Sequence, residues 1–215
     1  MLFLLAMLFQ VQTFAQGRAS YYEEVPRTFY GGVLLGTNFS QVDGDAYAGY
    51  HKVGLNVGGI VYTRFTEHLA ASLEILFSQK GARGNQEQQL GNSDSFLTDY
   101  RINLNYAEIP VMLNYFDRRK SHFGAGLSYS QLVSGEELIE VTRGTSVGSV
   151  DASKYPFRKA DLNIVAGGNL HLWKGLFLNA RFQYSILSVR KEHYPGIGRA
   201  EQYNNLWTVR LMYLF

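Results

Sequence analysis

The chain of 215 residues contains no cysteine, which excludes a disulfide scaffold, a thiol nucleophile and any metal site built on thiolates. Charge is scarce as well, since Lys, Arg, Asp and Glu make up 18% of the residues against about 25% in ordinary globular chains. The 20 basic residues are scattered and the net charge is +2, so a nucleic-acid partner is not indicated. A transmembrane helix needs about 18 consecutive apolar residues, and no apolar run after the N-terminus approaches that length, which excludes a helical membrane protein.

Glycine and aromatic residues are abundant instead. The 22 Gly, 15 Tyr and 14 Phe residues favour strands and tight bends over helices. The length suits one domain, and nothing in the composition suggests a second core.

The first residues have the pattern of an export signal. Met1–Phe9 is almost wholly apolar, and Thr13 and Ala15 place small residues at −3 and −1 before Gln16. The apolar stretch is too short for a membrane-spanning helix, which needs about 20 residues. No Lys or Arg precedes it, which departs from the usual signal. The sequence therefore predicts a signal peptide over residues 1–15 and an N-terminal segment over residues 16–28.

From Phe29 onward, apolar or aromatic residues alternate with small or polar ones, which is the period of a strand with two different faces. At the end of the chain, Trp207, Val209 and Leu211 share one face while Thr208 and Arg210 share the other. This alternation predicts eight strands: Phe29–Phe39, Tyr50–Phe65, His68–Lys80, Ile102–Phe116, His122–Val133, Lys159–Trp173, Gly175–Val189 and Asn204–Phe215.

The connections between the predicted strands alternate in length. Short ones lie at 66–67, 117–121 and 173–175, and the long polar ones are Ser40–Gly49, Gly81–Arg101, Ser134–Arg158 and Arg190–Tyr203. Short periplasmic turns and long external loops are typical of outer-membrane barrels. The sequence thus predicts an all-β fold, an eight-stranded antiparallel up-and-down transmembrane β-barrel over residues 29–215, in the outer membrane of a Gram-negative bacterium. A lipocalin-like soluble barrel is the alternative.

Aromatic residues flank the predicted periplasmic turns and the C-terminus, as they do in the girdles of membrane barrels. We favour the girdle, and the alternative explanation is that aromatic residues are common in strands generally. The residues concerned are Phe65, Tyr115, Phe123, Trp173, Phe177, Tyr213 and Phe215.

If the apolar face contacts lipid, the opposite face points into the barrel and carries charges of both signs. An Arg facing lipid at mid-membrane costs about 2–4 kcal/mol, so inward orientation is favoured. Eight strands leave room for side chains only, which predicts a plugged interior without a pore. We expect a structural salt-bridge network, with a proton path or polar binding site as the alternative. Glycines on the inner face, such as Gly167, would make room for long Arg side chains. The predicted network comprises Arg64, Glu74, Glu108, Asp161, Arg181 and Arg210.

No pattern of catalytic, cofactor-binding or metal-ligating residues is evident. The pairs Asp43/Asp45 and Glu136/Glu137 are predicted to be solvated loop charges, and the five histidines show no metal-ligand spacing. Adjacent residues of a strand point to opposite faces, which separates Ser121 from His122. We therefore expect no enzymatic activity, no cofactor and no metal, although a triad drawn from separate strands stays open.

Five segments carry a family resemblance: Gly49–Gly54 (GYHKVG), Leu73–Gly81 (LEILFSQKG), Leu104–Pro110 (LNYAEIP), Asp161–Gly168 and Arg181–Tyr184. Together they resemble the PorT-like outer-membrane β-barrel proteins of Bacteroidetes. The resemblance extends from about Tyr30 to Phe215 and implies the barrel fold. The namesake branch takes part in protein secretion, most relatives have no assigned role, and the family supplies no catalytic residue.

The sequence leaves three functional hypotheses. The first is a non-enzymatic integral barrel, surrounded by outer-membrane lipid, whose loops Gly81–Arg101 and Ser134–Arg158 contact a partner protein, surface glycan or extracellular ligand. The second is an accessory component of a secretion or envelope assembly machine. The third, which we favour least, is a lipid-modifying membrane enzyme, which would need a Ser or His cluster near one membrane interface.

Overall fold

In the computed structural model, residues 28–45, 49–84, 88–89, 95–143, 146–149, 155–190, 192 and 201–215 are described. The predicted signal peptide and residues 16–27 lie outside this part of the chain. The described residues form ten strands: β1 (Phe29–Asp43), β2 (Lys52–Arg64), β3 (Leu69–Arg83), β4 (Gln88–Gln89), β5 (Ser95–Phe116), β6 (His122–Arg143), β7 (Ser146–Ser149), β8 (Ala160–Trp173), β9 (Leu176–Ser185) and β10 (Tyr203–Leu214).

Eight of these strands close into a barrel. Each long strand pairs antiparallel with the next long strand along the chain, and β1 pairs with β10 from Gly32↔Leu214 to Asp43↔Tyr203. The two short strands attach to the barrel at its rim, β4 to β5 and β7 to β6. The predicted eight-stranded antiparallel up-and-down β-barrel is confirmed. Among the described residues, no helix is long and apolar enough to cross a membrane.

Three short turns lie together at one end of the barrel, which we call the turn end; the opposite end is the loop end. The turns occupy residues 65–68, 117–121 and 174–175, close to the predicted positions. Lys120 and Lys174 have positive φ angles of 64° and 46°, which close these turns tightly. In barrels of this kind the short turns face the periplasm.

The strands extend further at the loop end than the sequence predicts. β3 continues to Arg83, β5 begins at Ser95 and β6 continues to Arg143, where Ser95 and Arg143 are paired. The predictions that 81–101 and 134–158 are wholly loops were therefore wrong. Beyond the membrane the outward face need not be apolar, so these strands continue without the alternation that reveals a strand in the sequence.

The wall of the barrel is apolar on its outer side. Val33, Leu73 and Leu113 are exposed by 55%, 46% and 60% although they lie within paired strands. Such a continuous apolar surface has no counterpart on ordinary soluble monomers. Each alternate residue points inward instead, and the inner positions hold the buried polar and charged side chains.

Most of the inner-face glycines allow neighbouring strands to approach closely, and few of them make room for charged side chains. A Cβ atom at Gly58 or Gly126 would overlap backbone carbonyl oxygens of the neighbouring strand. The glycines predicted to make room for arginines are Gly54, Gly58, Gly124, Gly126 and Gly167, and only at Gly167 would the added atom meet an Arg side chain, that of Arg181, at 3.2 Å. Gly36, which the sequence analysis did not single out, faces Arg210 in the same way.

Candidate functional site in the barrel interior

The centre of the barrel interior holds one acid between two bases. Glu74 on β3 forms ion pairs with Arg181 on β9 and with Arg210 on β10, the latter at 2.9 Å between Nη1 and Oε2. All three side chains are at most 3% exposed. Arg210 also donates to amide oxygens of Asn179 at 2.6 Å and Asn56 at 3.2 Å. The Arg210 guanidinium thus has several acceptors, which buried charges need to offset their desolvation.

A second ion pair lies one layer nearer the loop end. Lys80 Nζ is 3.1 Å from Glu108 Oε2, and the two side chains are 0% and 1% exposed. Ser128 and Gln183 both donate to Glu108 Oε1 at 2.7 Å. Lys80 was absent from the predicted network, because the sequence analysis placed it at the end of a strand and not inside one. Its even-numbered position in β3, in phase with Glu74, is the signal that could have identified it.

Asp161 lies inside the barrel with neutral partners. Its Oδ2 atom accepts hydrogen bonds from Ser185 Oγ and Asn204 Nδ2, both at 2.9 Å. Asn204 also donates to the Tyr106 hydroxyl at 3.4 Å. No ion pair of Asp161 occurs among the described residues, so the expected pairing of three acids with three bases is met only in part.

Arg64 does not reach the network. It lies at the last position of β2 at the turn end, where its Nη2 atom donates to the Glu67 carbonyl oxygen at 2.8 Å. Its guanidinium carbon lies 5.8 and 5.4 Å from the ring centroids of Tyr30 and Phe116. A position so near the strand end lets the charged group reach the rim and water. With Lys80 in place of Arg64, the charged side chains of these central layers number three acids and three bases.

Two apolar clusters close the interior above and below the charged layers. Their side chains are buried against one another, as expected for a narrow barrel. At the turn end the cluster comprises Tyr30, Leu34, Ile60, Tyr62, Ala70, Leu76, Phe116, Phe177, Met212 and Leu214. At the loop end it comprises Val42, Ala82, Tyr100, Ile102, Leu104, Tyr106 and Ile139.

An ion pair covers the cluster at the loop end. Arg190 makes two hydrogen bonds to the Glu137 carboxylate, at 2.6 and 3.2 Å, and its guanidinium lies 4.0 Å from the Phe157 ring centroid. Arg190 and Glu137 side chains are 2% and 3% exposed. The prediction that Glu136 and Glu137 are solvated loop charges was therefore wrong for Glu137. A separation of 53 residues between the partners explains why the sequence pattern did not reveal the pair.

His68, His122 and Asp43 have structural partners. The His122 ring bonds with the Tyr62 hydroxyl and the Lys120 carbonyl at 2.9 and 3.2 Å. His68 Nδ1 bonds with the Phe116 carbonyl at 3.0 Å. Asp43 accepts hydrogen bonds from neutral amide groups. In the part of the chain that the structure describes, no group of three His, Asp or Glu residues could hold a metal ion.

Residues 14–190 match the family described as outer membrane protein beta-barrel domain. The chain belongs to this family. An outer membrane protein beta-barrel domain resides in the outer membrane, and the predicted localisation is thereby confirmed. No curated protein matches the chain in sequence.

Several solved structures resemble this outer membrane protein beta-barrel domain. Ail, the attachment invasion locus protein of Yersinia pestis, is 13% identical, with a TM-score of 0.47, and the match covers 88% of this chain and 100% of that chain. Neisserial surface protein A is 9% identical, with a TM-score of 0.45 and coverage of 88% and 98%. A major outer membrane protein from Thermus thermophilus is 11% identical, with a TM-score of 0.48 and coverage of 88% and 100%.

Proposed function

We propose that this protein is a non-enzymatic, plugged barrel that presents an external β-sheet to a partner protein, surface glycan or extracellular ligand. The observation that carries the proposal is the length of one hairpin. β5 and β6 each contain 22 residues, whereas a membrane-spanning strand needs about 9–11. About half of the hairpin therefore extends beyond the membrane, on the side opposite the short turns.

The extension of this hairpin is wider than two strands. β4 pairs with β5 through Gln88↔Leu97 and Gln89↔Phe96, and β7 pairs with β6 from Glu140↔Ser149 to Arg143↔Ser146. A sheet of four strands fixed to a rigid barrel presents a defined surface, and binding residues are commonly placed on such supported segments.

The buried interior supports binding over transport. The charged layers and the two apolar clusters fill the described interior, so the role that fits the ion pairs is to hold the barrel together around a closed core. Liposomes containing the purified protein should not swell in solutions of small sugars. Swelling as fast as that of liposomes containing a similar amount of a porin would contradict the plugged barrel.

The binding role can be tested by shortening the external sheet. Residues 85–94 and 144–154 are each replaced by a short Gly-Ser linker, and the matched control replaces the turn over residues 117–121 at the opposite end. Both variants must keep the heat-dependent mobility on SDS gels that marks a folded barrel. In intact cells, crosslinked envelope or extracellular partners should be lost from the loop variant and kept in the control. Equal crosslinking by both would contradict the proposal.

The PorT-like resemblance favours a second candidate, an accessory part of a secretion or assembly machine. Membership of the PorT-like branch and a source in Bacteroidetes are part of this candidate, as are export by the signal peptide and cleavage before Gln16. Copurification with envelope machinery and loss of secreted cargo on deletion would support it. A lipid-modifying enzyme fits less well, because the rings of His68 and His122 already bond with backbone carbonyls and the Tyr62 hydroxyl.

A further inference from the structure

The hydrogen-bonded ladder between β2 and β3 ends before the strands reach the loop end, and we call this break the separation. Pairing of the two strands ends at Asn56 and Ser78, and residues 52–55 of β2 pair with β1 only. The Leu55 amide, which would have met a β3 carbonyl in a continued ladder, donates instead to the Gln79 side-chain oxygen at 3.1 Å. From there to the loop end the ladder no longer joins β2 and β3, although Gly54 still packs against the Gln79 backbone.

Side chains of β1 contact β3 where β2 has separated. The Asn38 amide donates to the Gln79 carbonyl at 2.8 Å, and the Ser40 hydroxyl donates to the Gly81 carbonyl at 2.9 Å. These bonds satisfy β3 carbonyls that have lost their ladder partners. The separation is thus an ordered feature of the wall.

A cavity of about 330 Å³ lies at this separation, between the start of β2, the end of β3 and the segment 101–103 within β5. Its volume is enough for a phosphate group and part of a sugar. It is lined by His51, Lys52, Val53, Ala82, Arg83, Arg101 and Asn103.

The lining has an excess of positive charge. Lys52 Nζ donates to the neutral amide oxygen of Asn103, and Arg83 is exposed; neither has an acidic partner among the described residues. Arg101 alone is paired, with Asp99 at 2.8 Å.

Arg83 and Arg101 lie directly opposite each other on β3 and β5. Like charges directly opposite each other destabilise a sheet. The Asp99 carboxylate offsets the charge of Arg101, and Arg83 and Lys52 supply the excess. The guanidinium group presents donors in a planar fork that matches phosphate oxygens.

The cavity lies just above the apolar outer surface of the barrel. Val53, Leu55 and Phe77 are exposed by 58%, 40% and 39% and mark the upper part of that surface near β2 and β3. The loop end is external by the placement of the short turns, so the cavity lies at the level of the outer-leaflet headgroups. Clusters of Lys and Arg at this level bind anionic lipid headgroups.

We propose that the basic cavity lined by Lys52, Arg83 and Arg101 binds the phosphate group of a phosphorylated glycolipid in the outer leaflet. The site is on the outer wall and is separate from the external sheet of the proposed function. It would fix lipid at one point of the barrel circumference, between β2 and β5.

The test uses the full-length mature protein in detergent micelles without glycolipid. The midpoint of the heat-induced mobility shift is measured alone, with bisphosphorylated lipid A, with its dephosphorylated form, and with inorganic phosphate. A ligand that binds only the folded state raises this midpoint in proportion to its occupancy. Bisphosphorylated lipid A should raise the midpoint, and half of the effect should require about tenfold more lipid A for R83Q/R101Q than for the natural sequence.

The matched control is R118Q/R119Q, which removes two exposed arginines from a turn at the opposite end. This control should keep the full response to lipid A. R83Q/R101Q should also fold at least as well as the natural protein without lipid, because it relieves the repulsion between the two arginines. K52Q, a third variant, should weaken the response to a smaller extent.

Four outcomes would overturn the proposal. An equal response to dephosphorylated lipid A would show that phosphate is not recognised. A full response to inorganic phosphate alone would assign the site to a free anion. Equal loss in R118Q/R119Q would show a general effect of charge, and an undiminished response in R83Q/R101Q would place binding elsewhere.

Discussion

Glu74 on β3 and Arg210 on β10 meet inside the barrel, with Arg210 Nη1 2.9 Å from Glu74 Oε2. The two residues are 136 positions apart in the sequence, and their strands are not hydrogen-bonded to each other. Arg181 on β9 contacts the same carboxylate. One acid therefore joins opposite parts of the wall through the interior.

Replacing Glu74 with Gln should destabilise the barrel strongly. The change leaves two buried guanidinium groups without their shared carboxylate, and breaking a buried ion pair costs about 3–5 kcal/mol. The loss in free energy of unfolding is measured by urea unfolding in lipid vesicles, with the heat-dependent mobility shift as the readout of folded protein. Glu67→Gln removes an exposed acid at the turn end and should change the free energy of unfolding by less than about 0.5 kcal/mol. Equal effects of both changes would show that the interior pair contributes nothing specific.

Replacing Lys80 with Met should be costly alone and milder in combination. Lys80→Met leaves the Glu108 carboxylate buried without a cation, which costs about 3 kcal/mol or more. Adding Glu108→Gln removes the unpaired charge while keeping a side chain that can bond with Ser128 and Gln183. The double variant should recover most of the lost free energy of unfolding in a double-mutant cycle. Strictly additive losses in free energy of unfolding would contradict direct coupling of Lys80 and Glu108. The control is Lys159→Met, at an exposed position.

Two glycines on opposite faces of the wall should respond differently to the same substitution. A side chain at Gly36 would overlap Arg210 on the inner face, whereas no atom lies within 4 Å of a Cβ placed at Gly168 on the outer face. Gly36→Val should cost about 1–3 kcal/mol through overpacking, and Gly168→Val should be tolerated. The midpoints of urea unfolding provide the comparison. A larger cost at Gly168 would mean that the inner and outer faces are assigned the wrong way round.

An arginine in the middle of the outer face should test directly whether that face contacts the membrane. Leu73 is flanked in the sheet by Val61 and Val111, and all three are exposed. Leu73→Arg should cost about 2–4 kcal/mol in lipid vesicles, as expected for arginine facing hydrocarbon. Glu67→Arg, in an exposed turn at the end of the barrel, should have little effect. If the two substitutions are tolerated equally, Leu73 does not face the membrane interior.

The eight strands and their closure could be predicted from the sequence. A wall between lipid and a narrow interior requires outward and inward residues to alternate along each strand. Every outward position must be apolar, and positions 207, 209, 211, 213 and 215 of the last strand show this directly. The same constraint predicted that Glu74, Glu108, Asp161, Arg181 and Arg210 lie on the inner face, where the structure places them. Beyond the membrane the constraint ends, and the loop predictions failed at residues 81–83, 95–101 and 134–143.

The sequence by itself determined which face of each strand contacts lipid and which end of the barrel carries the short turns, because these depend on local alternation and connection length. Only the tertiary structure decided which inner residues meet. Glu74 joins two arginines, Lys80 joins Glu108, and Asp161 has neutral donors. These pairings follow from the stagger of eight strands around a closed barrel, which brings together side chains that are distant in the sequence and that no local pattern relates.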